Sequence, residues 1–347
     1  MANNRKINVT ELDFDNIKDN LKEYLKGQSE FQDYNFEGSA MSVLLDVLAY
    51  NTHYNALYNN MAINEMFLDS ARKRNSIVSL AKMLGYTPRS ATCAKAIVNV
   101  TVSGGSSSPS NITLPAYSAF TTLIDGKQYS FYNTGSYTVT RSTTTGNYLF
   151  ADLEIIEGKP LNFNYTVSEG VRYIIPNSGV DISTLKVRVQ ESATSSVYET
   201  WTRSDSVVSA SGITKAFWVK EIDDGLYEIT FGDGNIGRAL DIGNVVHLDY
   251  FVSSLDMANG ASDFTYNGAT LLSGATVSVI TTLAAYNGDD KESNDSIRFN
   301  APKFYAAQNR CVTPDDYKAL IYSNVPEAAS VTVWGGEDNN PPVYGKT

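Results

Sequence analysis

Ile229-Thr-Phe-Gly-Asp-Gly-Asn-Ile-Gly-Arg-Ala-Leu-Asp-Ile-Gly243 is the stretch whose reading decides the fold. Gly232, Gly234 and Gly237 stand in the spacing G-x-G-x-x-G, which in a dinucleotide-binding unit follows a strand and opens a helix. The strand is present, because residues 226–231 alternate and are rich in β-formers. The helix is missing. Only five residues separate Gly237 from Gly243, and residues 245–252 read as another strand. A glycine-rich link between two strands reads as a hairpin, where glycine supplies the positive φ of a tight turn. Phe231, Gly232, Asp233, Gly234, Asn235, Gly237, Arg238 and Gly243 are therefore expected to form a structural hairpin, with Arg238 anchoring it through hydrogen bonds.

The same strand grammar extends outward. From Cys93 to about Thr281 short alternating segments follow one another, separated by turn signals such as Asp125-Gly126 and Gly158-Lys159-Pro160. That density predicts a sandwich or barrel-like domain over 93–285. Residues 1–92 read as helical. Gly38-Ser39 opens a long helix carrying Met41, Leu44, Leu45, Leu48, Tyr54, Leu57, Tyr58 and Met61. Between Gly38 and Asn64 its one formally charged side chain is Asp46. A helix without a charged face is covered on most sides, either by its own domain or by a partner's helices.

Beyond Gly288 the pattern changes again. An acidic segment leads into a helix at about 297–308, with Pro302 in conflict inside it. Thr313-Pro314-Asp315-Asp316 is a strong helix start, and 330–334 reads as a strand. Residues 286–347 thus read as the beginning of an α/β domain that is incomplete. The fold class expected for the whole is α+β.

Composition narrows the function. The chain has 347 residues, a formal charge of -11 and no lysine- or arginine-rich block, so it lacks the electrostatic footprint of a nucleic-acid binder. No apolar window is long enough to span a membrane, and the N-terminus lacks the apolar run of a signal peptide. Cys93 and Cys311 lie too far apart in sequence to suggest a disulfide framework, which fits a reducing cytoplasm. The 22 tyrosines and 19% charged residues suit a protein interface, and β-structure also enriches tyrosine.

Catalytic and ligand-binding readings fail on spacing. Gly345-Lys346-Thr347 resembles the end of a P-loop, but Asn340 stands where its first glycine belongs. Asp233-Gly-Asn235 resembles a calcium loop, yet Gly237 and Asn244 occupy ligand positions. Asp289, Asp290, Glu292 and Asp295 read as a solvated linker and helix start. His53 and His247, the two histidines, have no metal-spaced partners, and no G-x-S-x-G elbow exists. No catalytic, cofactor-binding or metal-binding residue and no small-molecule substrate are expected. The alternative is a carbohydrate-binding or glycan-cleaving β-domain, which would need exposed platforms from Trp201, Trp218 or Trp334.

Three stretches together carry a resemblance. Phe231-Gly-Asp-Gly-Asn-Ile-Gly-Arg-Ala-Leu240 with Gly243 and Tyr250, then Gly288-Asp-Asp-Lys-Glu-Ser293 with Ile297-Arg298, then Asn309-Arg-Cys-Val-Thr-Pro-Asp-Asp-Tyr317 resemble baseplate J-like proteins. Leu44-Leu-Asp-Val-Leu-Ala-Tyr-Asn-Thr-His53 and Lys82-Met-Leu-Gly-Tyr-Thr-Pro-Arg-Ser90 resemble one branch of them, the large baseplate wedge subunits of contractile-tailed bacteriophages. The resemblance implies a structural virion protein of the tail baseplate, assembled in the host cytoplasm, and a natural chain longer than this one. Two copies would pair within each wedge, their helices packing with those of other wedge subunits. Neighbouring wedges would join through them into a ring around the tail hub that rearranges when the sheath contracts. Membership implies neither nucleic-acid nor membrane partners.

Overall fold

The computed structural model describes residues 13–28, 35–36, 38–104, 108–204, 210–222, 225–308, 310–325 and 330–343. The chain divides into two compact units, Met1–Tyr86 and Thr87–Thr347. Its architecture is α+β: a helical N-terminal region, then curled sheets, then a short helical part.

The first unit holds α1 (Phe14–Lys26), α2 (Ala40–Asn64) and α3 (Arg74–Met83). Asp13 caps α1 by accepting from Phe14 N at 3.0 Å. Ile17 of α1 and Leu45 and Ala49 of α2 are buried where the two helices pack. Lys18 pairs with Asp46 across the same contact at 2.5 Å, so the single charge of α2 is neutralised by its neighbour. Residues 65–70 form turns and do not extend the helix. The Glu65 carboxylate accepts from Arg72 N at 2.9 Å and Lys73 N at 3.2 Å, placing negative charge at the start of α3. Gly85, with φ of 78°, terminates α3 as its position predicts.

The second unit contains fifteen strands among the described residues. One sheet runs β14-β3-β4-β6-β1-β15. Its members are β1 (Lys95–Val102), β3 (Ala119–Ile124), β4 (Lys127–Tyr132), β6 (Tyr148–Glu157), β14 (Thr265–Tyr266) and β15 (Val277–Tyr286). Strict alternation along β1 turns Ala96, Val98, Val100 and Val102 into a core with Phe120, Phe131, Tyr148 and Ile155. The sheet curls until β14 lies against β15, giving a barrel-like form.

The other large sheet runs β7-β13-β9-β10-β11-β12-β8. It comprises β7 (Lys159–Thr166), β8 (Tyr173–Ile175), β9 (Val180–Gln190), β10 (Tyr198–Arg203), β11 (Ala216–Glu221), β12 (Tyr227–Phe231) and β13 (Val245–Val252). Val187, Trp201, Phe217, Ile229 and Leu248 form its core. A small pair, β2 (Asn111–Leu114) with β5 (Tyr137–Thr140), completes the strands. The chain passes from one large sheet to the other through Gly158, at φ of 121°; a Cβ there would lie 2.6 Å from Val252 O.

Two helices follow, α4 (Asn294–Ala307) and α5 (Pro314–Asn324), packed together. Thr313 and Asp316 form a reciprocal capping box at α5. Two expectations are corrected. Pro302 lies inside α4 without ending it. Residues 330–334 are not a strand: they find no pairing strand among the described residues, and Val331 N donates to Tyr322 Oη instead.

Candidate functional site

The largest uncovered apolar surface of the first unit is α2. Leu45 and Ala49, one helical turn apart, face α1. Most of the remaining large side chains face solvent. Val43, Leu44, Val47, Leu48 and Tyr58 are each more than half exposed, and Tyr54, Leu57, Met61 and Ile63 are exposed as well. The patch continues past the helix through Met66 and Phe67. Along one side runs an aromatic row. Tyr50 and Tyr54 stand with ring centroids 4.7 Å apart and hydroxyls at 3.0 Å, and Tyr58 follows at 6.2 Å. The hydrogen bond with Tyr50 pushes the Tyr54 hydroxyl above the usual phenol range.

Two polar groups on this helix bond to positions one turn back along it. Thr52 Oγ1 donates to Leu48 O at 2.9 Å, and Asn55 Nδ2 reaches Asn51 Oδ1 at 3.4 Å. A covering partner would strand fewer polar atoms than the sequence suggests. Contiguous exposed apolar surface of this extent marks a protein or membrane contact. No described helix is long and apolar enough to cross a membrane.

Of the residues expected at an interface, Leu44, Leu48, Tyr54, Leu57, Tyr58 and Met61 are exposed, and Met41 is half-buried. Leu45 is corrected: at 2% exposure it belongs to the contact with α1. Val43, Val47, Tyr50 and Ile63 belong to the exposed surface and were missed. The spacing of Val43, Val47 and Tyr50 at i, i+4 and i+7 was the available signal.

The glycine-rich stretch is not a hairpin. β12 pairs with β11 and β8, whereas β13 pairs with β9 and β7, so three strands lie between the two in the sheet. The stretch is a crossing loop. Gly234, Gly237 and Gly243 do take positive φ, at 90°, 78° and 95°. A Cβ on Gly232 would fall 2.2 Å from the Gly237 carbonyl, and one on Gly237 would fall 2.9 Å from the Trp218 ring.

Asp233 Oδ1 accepts from Asn235 N and Ile236 N, both at 2.9 Å, and these bonds hold its carboxyl below the usual range. Phe231 is half-buried at the end of β12 with its ring edge-on to Trp201. Arg238 Nη1 donates to Glu199 Oε2 at 2.8 Å, while Lys215 Nζ meets Glu199 Oε1 at 3.0 Å. The Lys215 bond, joined by the charge of Arg238, keeps Glu199 ionised below the usual carboxylate range. The loop is a hydrogen-bonded strap, and among the described residues no helix directly follows it to cradle a phosphate.

Several polar groups elsewhere are occupied structurally. Arg89 pairs with Asp289, and Glu292 accepts from Arg89 N, Ser296 Oγ and Asn300 Nδ2. The acidic segment is thus largely stitched to the start of the β-rich unit, not a free solvated linker. His247 Nε2 lies 3.0 Å from Gln190 Oε1; burial first, then Arg188, lowers its pKa. Burial, with Asp181 and Glu157 nearby, pushes the Cys93 thiol far up and leaves it inert. Trp201 is buried and Trp218 packs under Gly237, so neither forms an exposed sugar platform; Trp334 is exposed. Among the described residues no group of three or more His, Cys, Asp or Glu is placed to hold a metal. Residues 344–347, with the P-loop-like ending, lie outside the described residues.

The first unit thus leaves one helical face uncovered, and comparison with known proteins shows what the chain resembles. Residues 13–86 match the family described as "Baseplate wedge protein gp6-like, helical domain". The chain is similar to the baseplate wedge protein gp6 of Enterobacteria phage T4, 30% identical over 332 residues. The match covers 89% of this chain and 49% of that protein, so the chain spans about half the relative's length. Among solved structures, a chain of the anti-feeding prophage baseplate is 14% identical with a TM-score of 0.29, covering 90% of this chain and 64% of that one.

Proposed function

We propose that the chain is a structural, non-enzymatic subunit of a contractile-tail bacteriophage baseplate wedge, carried in the virion. One observation carries the reading: α2 presents more than half of each of Val43, Leu44, Val47, Leu48 and Tyr58 to solvent, with its one charge neutralised by α1. Full burial of such side chains stabilises by about 1.5–3 kcal/mol each. Their exposure is explained by a partner helix laid over them. The match of residues 13–86 to a wedge-protein helical domain supports placing the contact there.

The finer reading follows from the resemblance. The occupants of α2 are a second copy and helices of other wedge subunits, and neighbouring wedges join through such pairs into a ring that rearranges on contraction. The baseplate J-like assignment belongs to this reading, with the crossing loop at 231–243 as its marker. So does the division into a helical domain at 1–92, a β-rich domain at 93–285 and the opening of a third at 286–347.

Light scattering and native mass spectrometry on the isolated chain test the reading. Association through α2 is expected at micromolar concentration. A monodisperse monomer that also ignores the other wedge subunits would remove it.

A further inference from the structure

The described residues contain three Asn-Gly pairs, 259–260, 267–268 and 287–288. Such pairs are chemically unstable when the glycine amide nitrogen can reach the asparagine side-chain carbonyl carbon. The fold treats the three differently. Gly260 N donates to Ala285 O at 2.7 Å. Asn259 also has its side-chain amide held at both ends, Nδ2 donating to Gly288 O at 2.8 Å and Oδ1 accepting from Gly288 N at 2.9 Å. That second bond occupies the nitrogen that would attack Asn287. Gly288 is enclosed too: a Cβ there would lie 2.2 Å from Leu255 O.

Asn267 differs in its hydrogen bonding, although a Cβ on Gly268 would lie 2.6 Å from Tyr266 Oη. It is exposed, in the turn that leaves β14, and neither its side-chain amide nor Gly268 N has a hydrogen-bond partner among the described residues. We propose that Asn267 is a site of spontaneous deamidation, selected by the fold from three equivalent sequence pairs. The Gly268 amide nitrogen attacks Asn267 Cγ, an N–C bond forms, and the Cγ–Nδ2 bond breaks. Ammonia leaves, taking the glycine amide proton, and a cyclic imide remains. Water then opens the imide: attack at Cγ yields aspartate, attack at the main-chain carbonyl yields isoaspartate.

Either product adds a negative charge, and isoaspartate also lengthens the main chain by one carbon beside β14. Asn267 N donates to Ala119 O at 2.8 Å, and Tyr266 is paired with the fully buried Phe120. The lesion therefore loosens the strand that brings the curled sheet round to β15.

The test follows peptide masses of the folded chain in mildly alkaline buffer, resolving Asn, Asp and isoAsp at all three pairs. An engaged glycine amide must first give up a hydrogen bond, so Asn267 is expected to convert at least about tenfold faster than the other two. In denaturant the three rates should converge, and Asn267→Gln should remove the fast product. Equal rates in the folded chain, earlier conversion at Asn259 or Asn287, or a spread of rates that persists in denaturant would each overturn the proposal.

Discussion

Leu48→Asp separates a side chain that holds the fold together from one that awaits a partner. Leu48 is 53% exposed in the isolated chain, so roughly half its side chain remains to be covered. Burying that half contributes about 1 kcal/mol, and a desolvated, unpaired aspartate in its place costs at least the roughly 1–3 kcal/mol of an unpaired neutral polar group. Association should weaken by at least about 2–4 kcal/mol, a loss of no less than roughly 30- to 1,000-fold. The fold should scarcely notice, because an exposed Leu→Asp change costs a helix only about 0.5 kcal/mol.

Leu45→Ala is the control. At 2% exposure Leu45 lies against α1, and its truncation should cost the first unit about 2–5 kcal/mol. Circular-dichroism melts of the isolated chain, with sedimentation of the chain mixed with the other wedge subunits, read both effects. Wild-type assembly by Leu48→Asp, or its unfolding in isolation, would refute the assignment of Leu48 to an interface.

Three further outcomes follow from the β-rich unit and its helices. Gly237→Ala should destabilise by about 1–3 kcal/mol in urea melts, since φ is 78° and the added Cβ meets the Trp218 ring. Glu157 is buried at the passage between the sheets, and desolvation raises its pKa although Ser254 N donates to it at 3.1 Å. Its folded state therefore holds the proton more tightly than the unfolded chain, and stability should fall as pH rises through the raised pKa. Glu157→Gln should flatten that slope in urea midpoints taken across pH. Thr313→Ala removes the side-chain half of the α5 capping box and should cost about 1 kcal/mol, seen as faster hydrogen exchange of the α5 amides.

What was legible in the sequence was whatever depends on local chemistry. The scarcity of charge between Gly38 and Asn64, with Asp46 the one charged side chain, announced a coverable helix, and positive φ at Gly234, Gly237 and Gly243 followed from their setting. What failed depends on non-local pairing. Nothing near Gly232 says that β9, β10 and β11 stand between the flanking strands. Likewise, the inward side of α2 is set by Ile17 and Lys18 of α1, so Leu45 could not be told from Leu44 by composition alone. Residues 330–334 have the propensity of a strand, but propensity cannot supply a neighbour to receive its backbone bonds.

The most direct test is a structure of this chain inside an assembled wedge. The account predicts that Val43, Leu44, Val47, Leu48 and Tyr58 lose most of their exposure to another chain's apolar side chains. Finding that face of α2 still open to solvent in the assembled particle would contradict it.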